Sequence, residues 1–235
     1  MSQPVVVITG ASQGIGASVA LAFAREAGAR VALLSRSRKK LELVADQCRA
    51  LGGEALVLPC DVTDVEAVAT ASRTILDTFG VPDVLVNNAG QFQPGSIVAT
   101  SAEDFRTQVE VNLNSAFYMT RSFLAMMMER GTGDVFFTAS VASIKAYPGG
   151  VAYCAAKHGL LGLARATREE TRGTGVRSTA IILGATLTPS WEGSDLPPER
   201  FIPSEDVASA VIGIYRLSDR TDVEEIVIRP RDGDL

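Results

Sequence analysis

Tyr153 and Lys157 stand in a Tyr-x3-Lys spacing at the start of a segment whose apolar residues recur with helical period. That spacing puts both side chains on one helix face, a turn apart. A phenol, with an ordinary pKa of about 10, is a poor proton carrier at neutral pH. An ammonium one turn away favours the phenolate and brings the group into working range. Ser140, just beyond a short apolar run, offers a hydroxyl that can donate to a carbonyl oxygen. The three residues read as a device for moving a proton on and off an oxygen.

A second group of residues suits a phosphate. Thr9-Gly10-Ala11-Ser12-Gln13-Gly14-Ile15-Gly16 follows the first apolar run and opens the first helical segment. Glycines there let the chain turn tightly and approach a pyrophosphate, while the helix N-terminus offers free N–H groups and positive dipole. The spacing, Gly-x3-Gly-x-Gly, differs from the GxGxxG dinucleotide fingerprint. The second strand ends Leu34-Ser35-Arg36-Ser37-Arg38-Lys39-Lys40, without a carboxylate. In Rossmann domains that bind NAD an acidic residue at this place meets the ribose hydroxyls, and it would repel a 2′-phosphate. Ser35 removes that repulsion and Arg36 can clamp a phosphate with paired charge-assisted bonds, with Arg38 as a second partner. The spacing therefore points to NADP(H), with NAD(H) the alternative, and Lys39 and Lys40 read as a solvated helix start.

The elements that must position these residues alternate apolar runs with helical periods, the pattern of βα units on a parallel sheet. Strands are expected at Val5–Ile8, Val31–Leu34, Ala55–Leu58, Asp83–Asn87, Val135–Phe137, Val176–Leu183 and Glu225–Ile228. Between them lie helices, among them one from Asp64, an N-cap, to Phe79. Another runs unbroken from Ala102 to Glu129, a third spans Val151–Thr171, and the last begins near Ser204. The fold class is α/β: a Rossmann-type doubly wound parallel sheet of about seven strands with helices on both faces. No linker or repeat divides residues 1–235, so one domain is expected. The proline-rich stretch 186–203, which holds the only tryptophan, Trp191, reads as a short substrate loop.

Composition narrows the partners. A net charge of −5 gives no electrostatic reason to expect nucleic acid or an anionic membrane. No apolar run is long enough to span a bilayer, and the N-terminus lacks the pattern of a signal peptide. Cys48, Cys60 and Cys154 fit neither a disulfide framework nor a CxxC site, and the lone His158 cannot build a histidine metal site. A cytoplasmic protein without a metal is the expectation.

These residues, taken together, resemble the compact branch of the short-chain dehydrogenase/reductase family. The resemblance rests on Thr9–Gly16, on Asp61-Val62 after the third strand, and on Asn87-Asn88-Ala89-Gly90 after the fourth. It continues with Asn112 in the long helix, Ser140, and Tyr153-x3-Lys157. It implies that Tyr153 donates the proton in carbonyl reduction and that Ser140 orients the carbonyl. Lys157 would lower the tyrosine pKa and hold the nicotinamide ribose, and Asn112 would hold a water relaying protons to Lys157. Asp61 and Val62 would meet the adenine, and Asn87, Ala89 and Gly90 would line the cofactor cleft. Gly184 and Thr188 would lie at the nicotinamide end, although Leu183 stands where the family usually has proline. The implied activity is hydride transfer between NADP(H) and a small carbonyl/alcohol pair such as an oxoacyl ester, hydroxy acid, ketone or aldehyde. A homodimer or homotetramer built on the two long helices is also implied. The competing reading is a cofactor-binding sensor or scaffold; an extended-type epimerase would need a substrate domain that 235 residues do not hold.

Overall fold

The computed structural model describes residues 3–191 and 193–234. Seven parallel strands form one sheet: β1 (Val5–Thr9), β2 (Arg30–Ser35), β3 (Glu54–Pro59), β4 (Val84–Asn87), β5 (Gly133–Ser140), β6 (Val176–Leu183) and β7 (Glu225–Ile228). Their spatial order is β3-β2-β1-β4-β5-β6-β7, so the direction of winding reverses between β1 and β4. At such a switch point the helices leave a crevice at the strands' C-terminal edge, where ligands bind. β1 and β4 end at that edge, in register with each other from Val6 and Val84 to Ile8 and Val86.

Both faces are covered because adjacent residues of a parallel strand point to opposite sides. Val6 and Ile8 turn to one face, where α1 (Gly14–Ala27), α2 (Arg38–Ala50) and α7 (Ser204–Tyr215) cover them with Phe23, Leu41 and Val211. Val5 and Val7 turn to the other, beneath α3 (Val65–Phe79), α5 (Ser115–Arg130) and α6 (Val151–Thr171), with Ile75, Phe123 and Leu160. Asp64 caps α3 as expected, its carboxylate accepting from the N–H groups of Glu66 and Ala67. At their starts β5 and β6 are tied by the pair Arg177–Asp134, Nε to Oδ1 2.7 Å and Nη2 to Oδ2 3.0 Å. Among the described residues no helix is long and apolar enough to cross a membrane.

Two expectations need correction. The helix expected from Ala102 to Glu129 is not continuous: α4 (Ala102–Val109) gives way to a π-turn at Glu110–Asn114 before α5 begins. The extra residue leaves the apolar period nearly intact, so the sequence pattern hides it, yet it re-aims Asn112. The fifth strand is also longer than Val135–Phe137 and ends on Ser140 itself. The stretch 186–203 folds back on itself: Thr186 bridges Ile202, Leu187 N donates to Ile202 O at 2.8 Å, and the Trp191 ring lies 4.9 Å from that of Phe201.

Candidate active site

At the turn after β1, Gly10 and Gly14 have φ of +65° and +55°, a left-handed backbone that L side chains rarely adopt. Gly16 is needed for space. A Cβ there would lie 2.4 Å from the Gly10 carbonyl oxygen, so only glycine lets α1 start so close to the strand. Gln13, at the N-cap of α1, makes no side-chain cap, which leaves the helix's first N–H groups facing the cleft. Its amide oxygen instead accepts from Lys40 Nζ at 2.7 Å. Asn88 braces the turn from β4, donating to the carbonyls of Thr9 and Gly10 at 3.0 and 3.3 Å.

Ser35, the last residue of β2, carries a buried hydroxyl oxygen without a hydrogen-bond partner. Arg36 beside it is exposed and faces Asp61. Burial works against the Asp61 carboxylate, but Thr63 donates to it from N and Oγ1, at 3.0 and 2.7 Å, and Arg36 adds its charge. The balance holds the carboxyl below its usual range. Arg38 turns away from this group and pairs with Glu42 at 3.6 Å.

At the other end of the cleft Ser140 caps a short 3-10 turn, its Oγ accepting from Ala142 N at 3.1 Å. The Ser140 O–H lies beside the Tyr153 phenol, with both groups on the cleft. Lys157, 4% exposed, donates from Nζ to the Thr138 carbonyl at 2.8 Å. Burial lowers the Lys157 pKa to about 8. Burial pushes the half-buried Tyr153 phenol above its ordinary value, and the Ser140 hydroxyl beside it pulls the other way. Without a cationic ligand the phenol therefore keeps its proton at neutral pH. Asn112 is committed to its own neighbourhood: Nδ2 donates to Gln91 O and Gln108 O at 2.8 and 3.0 Å, and Oδ1 accepts from Gln91 N at 3.2 Å.

One cleft of about 960 Å³ joins both ends, from the glycine turn to Trp191. It lies along the C-terminal edge of the sheet, and its volume suits a dinucleotide together with a small substrate. Every residue singled out for the site reaches it except Gly16, Arg38, Asn87 and Gly184. Gly16 stands behind the turn. Asn87 shares the strand face of Leu85, so its side chain is buried toward α5 and donates to Thr120 Oγ1 at 2.9 Å. Gly184 lies behind Leu183, and a Cβ there would meet Pro230 Cδ at 2.7 Å. The cleft also takes in Lys40, read from the sequence as a solvated helix start, Leu183, which stands where the family usually has proline, and Phe92, which the sequence did not mark. Phe92 sits edge-on to Tyr153 with ring centroids 5.2 Å apart. It falls in a loop with no periodicity to mark it, whereas the place of Lys40 in the first turn of α2 was a usable signal.

The model of the short chain dehydrogenase family matches residues 4–196. A sepiapterin reductase from Chlorobaculum tepidum is 35% identical over 238 residues, covering 98% of both chains. Among solved structures, an alcohol dehydrogenase from the archaeon Thermococcus sibiricus, complexed with 5-hydroxy-NADP, superposes with a TM-score of 0.90. It is 31% identical and is covered over 98% of this chain and 97% of that one. A metagenomic short-chain oxidoreductase in complex with NADP gives a TM-score of 0.86 at 31% identity, over 97% of this chain and 96% of that one. A match of this extent, over a seven-stranded parallel sheet with the Tyr153–Lys157 pair at its crevice, shows that the chain belongs to the short-chain dehydrogenase/reductase family of oxidoreductases.

Proposed function

We propose that this chain is a single-domain, NADP(H)-dependent reductase of small carbonyl compounds, with residues 186–203 as its substrate loop. The observation that carries the reading is the shared cleft. Ser140, Tyr153 and Lys157 line one end, and the glycine turn with Ser35 and Arg36 lines the other. The residues present suit the cofactor. Free N–H groups at the start of α1 meet a pyrophosphate, and the unpartnered Ser35 hydroxyl and the Arg36 guanidinium suit a 2′-phosphate. The NADP-bound relatives support the same choice.

When bound, NADPH supplies the hydride that converts C=O to an alkoxide. The remaining work falls to the protein. The Ser140 O–H, beside the Tyr153 phenol, donates to the carbonyl oxygen and fixes it near Tyr153. Tyr153, protonated at neutral pH, passes its proton to that oxygen as the charge develops, which gives the alcohol and a phenolate. Lys157 steadies the phenolate with its positive charge and, having one protein acceptor in Thr138 O, keeps N–H groups for a ribose hydroxyl. Asn112 holds the Gln91 wall beside Lys157, with its Nδ2 donating to Gln91 O and Gln108 O and its Oδ1 accepting from Gln91 N.

The test is NADPH oxidation followed by absorbance across 3-oxoacyl esters, small aldehydes and ketones, with 3-hydroxy acids assayed in reverse. Tyr153→Phe on the best substrate should lose about 10²–10⁴-fold in turnover, the scale of general acid catalysis. Its NADPH binding, read by fluorescence, should persist. Near wild-type turnover in that variant would remove Tyr153 from the mechanism.

A further inference from the structure

A 2′-phosphate carries close to two negative charges at neutral pH, as phosphomonoesters do. Arg36 supplies one positive charge, and the glycine turn supplies none, because Gln13 occupies the place before Gly14. The second cation must come from the basic run that follows β2. Arg38 is turned toward Glu42 and lies off the cleft wall, as does Lys39. Lys40 behaves differently. Its helix position, in the first turn of α2, would let it project into solvent, yet its Nζ reaches from the second βα unit back to the first and donates to Gln13 Oε1 at 2.7 Å. That bond holds the ammonium on the cleft wall, between the glycine turn and Arg36.

Gln13 is a neutral acceptor, and Lys40 takes part in no ion pair among the described residues, so the bond orients the charge without cancelling it. Arg36 makes no ion pair within 4 Å there, although it faces the Asp61 carboxylate, and the buried hydroxyl oxygen of Ser35 beside it is unpartnered. Lys40 without a counter-ion, Arg36 without a close one, and an unsatisfied hydroxyl around one end of a cleft match a dianion with several acceptor oxygens. We propose that Lys40, held in place by Gln13, is the second cation that selects a 2′-phosphate, and that Arg38 takes no part in the selection. The assignment rests on the NADP(H) reading above and refines it.

Dissociation constants for NADPH and NADH, from nicotinamide fluorescence at low ionic strength, test it without any substrate. Lys40→Met keeps the aliphatic stem and removes the charge. It should weaken NADPH binding about tenfold, the low end for a charge-assisted bond because the site is exposed. NADH binding should be unchanged in the same variant, and Lys40→Arg should restore NADPH. Arg38→Met should leave both constants where they are. Gln13→Ala should weaken NADPH alone, and should add nothing on top of Lys40→Met if it acts through the lysine. Melting temperatures equal to wild type exclude a folding effect. A wild type that binds NADH as tightly as NADPH overturns the cofactor reading and this assignment with it. A wild type that prefers NADPH, with a preference that survives Lys40→Met or falls as far in Arg38→Met, overturns the assignment alone.

Discussion

The Lys157 ammonium lies 5.6 Å from the centre of the Tyr153 ring and is anchored to the Thr138 carbonyl at 2.8 Å. The pair therefore does not depend on helix spacing alone. The end of β5 fixes the lysine, and α6 carries both side chains. The arrangement has a cost, because burial opposes the lysine's charge.

That cost gives a pH dependence of stability. The Lys157 pKa falls from 10.5 in the unfolded chain to about 8 in the fold. Between these values the unfolded chain holds a proton that the folded one has released, so stability rises with pH across the window. Below it Lys157 is charged in both states and the burial penalty is present in full. Lys157→Met has no such group. Urea unfolding at pH 7 and pH 10 should show wild type gaining on Lys157→Met by up to about 2–3 kcal/mol on going to the higher pH. A constant difference between the two proteins would mean that the folded lysine titrates normally.

The proton-transfer residues and the strands were legible in sequence for the same reason: both are local. A Tyr-x3-Lys pair shares a helix face wherever the helix sits, and the apolar run Ala180–Leu183 of β6 marks a strand with both faces covered. What escaped depends on elements distant in the chain. The bond from Lys40 to Gln13 joins two βα units whose separation no periodicity encodes. The inward turn of Asn87 follows from strand parity, which a motif reading ignores: Leu85 and Asn87 share a face, and α5 covers it with Thr120. The π-turn at Glu110–Asn114 inserts a register shift that an apolar count passes over.

Assembly is open to a simple measurement. Phe105 on α4 and Phe117 on α5 are 40% and 45% exposed, large apolar groups on the long helical segment expected to meet a second copy. Covering them would remove apolar area from water at roughly 25 cal/mol per Å². Light scattering at micromolar concentration should give the mass of a dimer or tetramer, and Phe117→Glu should shift it toward monomer. A monomeric wild type would show that this face stays uncovered.

The last prediction concerns the pair that ties the starts of β5 and β6. Arg177 grips the buried Asp134 through two bonds and also donates to the carbonyls of Tyr215, Leu217, Ser218 and Thr221, which lie at and beyond the end of α7. Even so paired, burial pushes the Asp134 carboxyl above its usual value. Removing the guanidinium leaves the carboxylate buried and alone, so Arg177→Met should cost about 3–5 kcal/mol at pH 7. Asp134, without its partner, takes up a proton at a still higher pH in the fold than in the unfolded chain. The penalty from its charge is then full above the folded pKa and disappears as pH falls below the unfolded value. The deficit of Arg177→Met should therefore shrink between pH 7 and pH 5, and Asp134→Asn in the same chain should recover part of it at pH 7. Urea midpoints of wild type, Arg177→Met and the double variant at both pH values decide the matter. Equal deficits at the two pH values would place the loss in the carbonyl contacts rather than in the buried charge.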